Sequence, residues 1–342
     1  MAARTLRLAA MPALAALAAL LPLAAAQRGK EVGCRDRFGP FIEGAAVDKS
    51  GNLYALDFQR DRGAAGRVDA QSGACAPAPT AQSGGAGLNG LRVLPDGSML
   101  AAAPEQKRVL HIPRGGGAPR VFCGDGGMVA PNDLAISQKN GFVYVSGQAW
   151  AGDTKAGDGD IWLCRKAGAP AVRLAQLGRT NGIEVSADGK LLFVSEAFNK
   201  GGTPASNVIW RYPIQADGTL DAPRRALAFD FGAAEGKGHI DVDGMRLDAG
   251  GRLYVTRHGG GEVVVINPLA TNKVTRRHPL PFSAPTNVEL GGPQGRTLFA
   301  VGRCGVGTPW GTGAGCVEAV QVDTPGLAWK GLQQGLPKVQ LA

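Results

Sequence analysis

Six times along the chain a polar residue opens a short apolar stretch, a glycine-containing turn follows, and a second apolar stretch returns. The openings are Glu43, Asn89, Asn132, Asn181, Asp243 and Asn287, usually with glycine next, as at Gly44, Gly90, Gly182 and Gly244. In the fourth copy Ile183 and Val185 alternate with Glu184 and Ser186, the period of a strand with one polar face, and the turn is Asp188-Gly189. Asp96-Gly97 and Asn140-Gly141 hold the same place in two other copies. Glycine there supplies the positive φ of a tight turn, so each copy predicts one β-hairpin.

The copies begin 43 to 49 residues apart, except for an interval of 62 between the fourth and fifth. That spacing suits a four-stranded propeller blade rather than a helical repeat. Further apolar runs between the hairpins predict outer strands: Arg108 to Ile112, Gly159 to Cys164, Asn207 to Tyr212 and Gly261 to Ile266. Neither a helical period of useful length nor a linker interrupts the series. The expected fold is all-β, a single six-bladed β-propeller domain over residues 27–342. The long interval contains a Gly-rich stretch from Phe229 to His239, with Lys237, that has the length of a lid or of a plain solvated loop.

Composition agrees: 52 glycines and 22 prolines supply turns, and 44% hydrophobic residues supply a core. The first 26 residues read differently. Arg4 and Arg7 precede an Ala/Leu run that ends in Ala24-Ala25-Ala26, the order of a secretory signal, and Pro12 and Pro22 break the run as a membrane span. Cleavage after Ala26 is expected, with the product periplasmic or extracellular and without stable membrane insertion. Removing Arg4 and Arg7 takes the net charge from +9 to +7. The basic residues are scattered and aromatics make up 6%, so no nucleic-acid stripe is present.

In an oxidising compartment the six cysteines predict disulfides. No Cys-x-x-Cys occurs, which removes the usual zinc-knuckle and redox motifs. Six cysteines permit 15 pairings and the sequence does not choose among them; proximity favours Cys304 with Cys316, and chain order suggests Cys34 with Cys75 and Cys123 with Cys164.

If the hairpins are equivalent, Glu43, Asn89, Asn132, Asn181, Asp243 and Asn287 converge at one mouth of the central channel. Every one carries a side-chain oxygen, and none is His or Cys. Such a hard set suits one divalent ion, calcium before zinc or manganese. A competing reading is that Asn-Gly and Asp-Gly stand there only as turn formers. Glu43 fits that reading poorly, because Glu has no turn preference.

The motifs Glu43-Gly44, Pro131-Asn132-Asp133-Leu134, Thr180-Asn181-Gly182-Ile183 with Asp188-Gly189, Asp243-Gly244-Met245 and Pro285-Thr286-Asn287-Val288 resemble, in order, those of the senescence-marker-protein, regucalcin and gluconolactonase family. The resemblance covers essentially the whole mature chain. It implies a metal held by Glu43, Asn181 and Asp243, with Asn132 against the metal or the substrate, and Asp243 as the base that activates water. It departs at Ala46 and Ala130, where the family often has a Trp and a basic residue.

The function expected is metal-dependent hydrolysis of a lactone or small ester, the ion polarising the carbonyl. The alternative is a non-catalytic metal-containing propeller that binds a sugar, lipid or protein partner through the same face. Asp133 is expected to point to the opposite side of its strand from Asn132 and to be structural. Among the histidines His258, at the end of the fifth hairpin, is within reach of the pocket, although a lone histidine is more often a surface or hydrogen-bonded structural residue. No Gly-x-Ser-x-Gly elbow is present.

Overall fold

The computed structural model describes residues 29–32, 34, 38–57, 64–77, 87–232 and 239–341. Each predicted hairpin is the inner half of a four-stranded antiparallel sheet, and six such sheets form a six-bladed β-propeller. The first blade runs outward from the axis as Ile42–Val47, Leu53–Asp57, Ala64–Val68 and Cys75–Pro77. The second comprises Leu91–Val93, Met99–Ala103, Arg108–Ile112 and Arg120–Gly124, and the third Pro131–Ile136, Val143–Gln148, Gly159–Cys164 and Val172–Leu177. The fourth holds Ile183–Val185, Leu191–Lys200, Thr203–Pro213 and Ala226–Asp230, and the fifth Asp241–Leu247, Leu253–His258, Glu262–Ile266 and Val274–Pro279. The turn glycines behave as expected, with Gly97 at φ 84° and Gly189 at φ 69°.

The sixth blade closes the ring. Its inner strands are Ala284–Gly291, Thr297–Arg303 and Gly315–Gln321, while its outermost strand, Lys30–Val32, comes from the other end of the chain. Lys30 pairs with Ala319 and Val32 with Val317. Closure by the chain's two ends removes the free sheet edge that an open array would leave. The disulfide Cys34–Cys75 then ties the segment after this strand to the outer strand of the first blade. Cys123–Cys164 joins the second blade to the third, and Cys304–Cys316 closes a loop of the sixth. All three expected pairs are present.

Inner strands are covered on both faces by neighbouring blades, so Ile42–Val47 and Ala284–Gly291 are buried throughout. The alternation in the fourth hairpin therefore does not separate core from solvent, and Glu184 is buried with Ile183 and Val185. Apolar clusters fill the space between blades. Leu100, Val109 and Phe122 of the second blade pack with Leu134, Val145 and Trp162 of the third. At about 25 cal/mol per Å2 of apolar surface removed from water, such layers are the main favourable contribution to folding.

The glycine after each opening residue has a packing reason that the turn reading lacks. A Cβ on Gly182 would lie 2.5 Å from the Asp243 carbonyl oxygen, and one on Gly244 would lie 2.4 Å from the Asn287 side chain. A Cβ on Gly90 would meet the Asp133 Cα at 2.7 Å. Gly90 and Gly182 directly precede inner strands and Gly244 lies within one, and they let adjacent blades touch at the axis; they are not in hairpin turns.

One α-helix, Leu327–Gln333, follows the last blade. No helix among the described residues is long and apolar enough to cross a membrane. The expected leader, residues 1–26, lies outside the described residues, as does 233–238 with Lys237 of the expected lid. Phe229 and Phe231, at the start of that stretch, are core residues with ring centroids 4.4 Å apart.

Candidate functional site

The bulges that interrupt the inner strands decide which side chains reach the axis. Register shifts fall between Glu43 and Ala46, Pro131 and Leu134, Val242 and Met245, and Pro285 and Asn287. An extra residue at each place re-aims consecutive side chains toward the channel. Glu43, Asn132 and Asp243, together with Asn89 and Asn181, which precede inner strands without a register shift, line one cavity of about 280 Å3 at a single mouth. Asn287 takes a different place: it donates from Nδ2 to Glu43 Oε2 at 3.3 Å and does not line the cavity.

The floor holds two carboxylates that disfavour each other's charge. Burial pushes the Glu43 carboxyl up to about 7 against the hydrogen bond from Asn287, and nearby Asp133 adds to the rise. Burial raises Asp243 well above the usual carboxylate range, with the charges of Glu43 and Asp241 acting the same way. The Asn181 amide hydrogen-bonds to Asp243 and partly opposes this. A divalent cation fits such a floor: it would relieve the repulsion, and the amides of Asn89, Asn132 and Asn181 add hard oxygens without sulfur or imidazole. Among the described residues no group of three or more His, Cys, Asp or Glu side chains is gathered for a metal, so any ion here relies on the amides as well as the carboxylates.

Above the floor the wall is built around Arg179, which is almost fully buried. Its guanidinium donates to Gln148 Oε1 at 2.9 Å and Asn199 Oδ1 at 3.2 Å, and pairs with Asp241. Asp241 in turn accepts from Asn207 Nδ2 at 2.5 Å. Trp150 lies over the guanidinium, 4.5 Å from ring centroid to Cζ. The rim is completed by Phe41, His239, His258 and Trp310, with Trp310 edge-on to Trp150 at 6.1 Å and 5.4 Å from His258. Burial pushes the His258 imidazole below its usual pKa.

Beneath the floor the channel is plugged by buried charge. Asp133 pairs with Arg92 at 3.2 Å and with Arg246 at 3.0 Å, and Arg246 reaches Glu289 at 3.3 Å. The two guanidiniums outweigh the cost of burial and hold Asp133 below its usual pKa. Asp133 thus shares the axial side with Asn132 instead of facing away, because of the bulge, and its partners give it a structural part.

His258 lines the cavity, where the reading of a lone histidine favours a surface or structural role. Arg179, Asp241, Gln148, Trp150 and Trp310 were not legible as site residues. They lie at strand ends and on loops outside the repeated phrase. Arg92, Glu184 and Arg246 did leave a signal, since each stands three residues after an opening residue in an otherwise apolar strand.

Residues 41–301 match the family model described as SMP-30/Gluconolactonase/LRE-like region. A gluconolactonase from Zymomonas mobilis subsp. mobilis is 30% identical over 205 residues, 55% of this chain and 54% of that protein, so the chain spans about half the length of this curated relative. Among solved structures, a calcium-binding protein, regucalcin, from Agrobacterium tumefaciens superposes with a TM-score of 0.65 at 17% identity, covering 87% of this chain and 96% of that one. A gluconolactonase from Xanthomonas campestris superposes with a TM-score of 0.61 at 20% identity, covering 83% and 87%. At these identities the structures show the fold, while the family model spans most of the chain with its motifs in order. The chain belongs to the SMP-30/gluconolactonase/LRE-like family.

Proposed function

We propose that this protein is an exported, metal-dependent hydrolase of lactones or small esters. One observation carries the reading: the buried carboxyl of Glu43 and the half-buried one of Asp243 stand together on the floor of an open cavity that also presents the amides of Asn132 and Asn181, and the charge of Glu43 helps to raise the pKa of Asp243. That is a poor arrangement for a protein without a cation and a suitable one for a calcium-sized ion. The names of the Zymomonas and Xanthomonas relatives support a lactone as substrate, and the regucalcin relative supports calcium over zinc or manganese. Three disulfides support export.

When bound at Glu43, Asn132, Asn181 and Asp243, the ion supplies Lewis-acid polarisation of the substrate carbonyl. Asp243, hydrogen-bonded to the Asn181 amide, would accept the proton of the attacking water, and an ion held by the same carboxylate would weaken it as a base. Asn132 binds and orients the substrate without titrating. Glu43 supplies the second negative charge, fixed by Asn287. Arg179 and its partners hold the wall at which the acyl or alkyl part lies.

The test is hydrolysis of a panel of lactones and aryl esters by protein treated with chelator and then reloaded with calcium, zinc or manganese. Turnover restored by one ion supports the reading. Inert protein with the ion demonstrably bound overturns it and favours a non-catalytic propeller that binds a sugar, lipid or protein.

A further inference from the structure

We infer that the cavity selects a lactone or ester carrying an apolar substituent, which Trp150, Trp310 and Phe41 grip, rather than a polyhydroxylated sugar lactone. The inference rests on the hydrolase reading above and names its substrate class.

The cavity has two tiers of opposite character. Its floor is polar, whereas Pro40, Phe41, Trp150, Pro204 and Trp310 predominate at its mouth, with the imidazoles of His239 and His258 among them. Trp150 is 54% exposed, Trp310 45% and Phe41 36%, an aromatic surface continuous with the site. Exposed aromatic clusters of this kind mark recognition surfaces. The two indoles come from different parts of the ring, Trp150 following the strand Val143–Gln148 and Trp310 lying between Thr297–Arg303 and Gly315–Gln321. They nevertheless meet edge to face. Trp310 also rides on a loop closed by Cys304–Cys316, so little freedom is left to lose when a ligand is gripped.

Several of the polar groups of the wall are already engaged with one another, while His239 and His258 also line it. Arg179 bonds Gln148, Asn199 and Asp241 and lies under Trp150, while Asp241 also accepts from Asn207. Arg303, the other cation of the wall, donates Nε to the Gly313 carbonyl of its own loop. A sugar hydroxyl lying against Arg179, Asp241 or Arg303 would give up water for groups that already hold hydrogen bonds within the wall. An alkyl or aryl substituent would give up nothing and be covered by indole and phenyl faces.

The experiment measures kcat/KM for metal-loaded protein on δ-valerolactone, δ-hexalactone, δ-octalactone and δ-decalactone, with D-glucono-δ-lactone as the polyhydroxylated comparator. Burial of each methylene predicts a rise of about three- to fourfold until the cavity is filled. Trp310→Ala and Trp150→Ala each flatten the slope with chain length, mainly through KM. Both side chains are about half exposed, so the variants are expected to fold. A parallel titration uses intrinsic tryptophan fluorescence with alkyl-substituted δ-lactams, which resist hydrolysis. Tighter binding of longer alkyl lactams, lost in Trp310→Ala, supports the inference whether or not turnover is seen. Preference for D-glucono-δ-lactone over the alkyl lactones, or a slope that survives both tryptophan variants, overturns the inference and leaves the hydrolase reading standing. Lactam binding without turnover of any lactone or ester overturns the hydrolase reading and leaves the apolar selectivity of the cavity standing.

Discussion

Glu43 and Asp243 share a floor but differ in what each supplies. Asp243→Asn keeps one oxygen for an ion and removes the proton acceptor, so turnover at saturating metal should fall by roughly 10²- to 10⁴-fold, the usual contribution of a general base. Glu43→Gln should act through metal affinity and recover much of its turnover with excess ion; steady-state kinetics across a metal titration separates the two. The same pair sets a pH dependence. Glu43 is pushed from 4.5 up to about 7 in the folded chain, so between these values the folded state holds a proton that the unfolded state has lost. Stability of the metal-free protein should therefore fall as pH rises through this window. An ion requires the ionised carboxylate, so calcium should raise the melting temperature more at pH 8 than at pH 5. Equal calcium shifts at both values would contradict this assignment. These residues were legible because the repeat places them at equivalent positions. The raised pKa values were not, since they depend on burial and on the carboxylate neighbours that folding supplies.

At the scale of the strand, the bulges turn neighbouring residues toward the axis, and Asp133 is the test of what lies there. Asp133→Asn would leave Arg92 and Arg246 with one charged partner fewer in a buried plug that also contains Glu184 and Glu289. Breaking a buried pair from one side costs about 3–5 kcal/mol, so chemical denaturation should show a loss of that order. A loss within the 0–1 kcal/mol typical of exposed pairs, about the noise of such cycles, would show that the plug is hydrated. The hairpins themselves were readable from period and turn glycines. The facing of Asp133 and the burial of Glu184 were not, because the alternation rule assumes an unbulged strand with one wet face: the strand of Asp133 is bulged, and that of Glu184 has no wet face.

At the scale of the whole molecule, the ring depends on Lys30–Val32 joining the sixth blade and on Cys34–Cys75 holding that strand's end to the first. The bridge spans a sequence separation of 41, for which the chain-entropy model gives a stabilisation of about 4 kcal/mol. Replacing both cysteines by serine should lower stability by an amount of that order and speed hydrogen exchange first in Lys30–Val32 and its partner Gly315–Gln321; uniform exchange across all blades would argue against a local latch. Blade number, strand type and the shared mouth of Glu43, Asn89, Asn132, Asn181 and Asp243 were determined by the sequence alone, because a repeat carries its own geometry and equivalent positions must meet at one axis; the disulfide pairs were suggested by order and proximity but chosen by the fold. The closing strand, the turned Asn287, the charged plug and the aromatic rim of Trp150 and Trp310 were decided only by the tertiary structure. Each brings together residues from different blades, and no local period records which distant segments will touch.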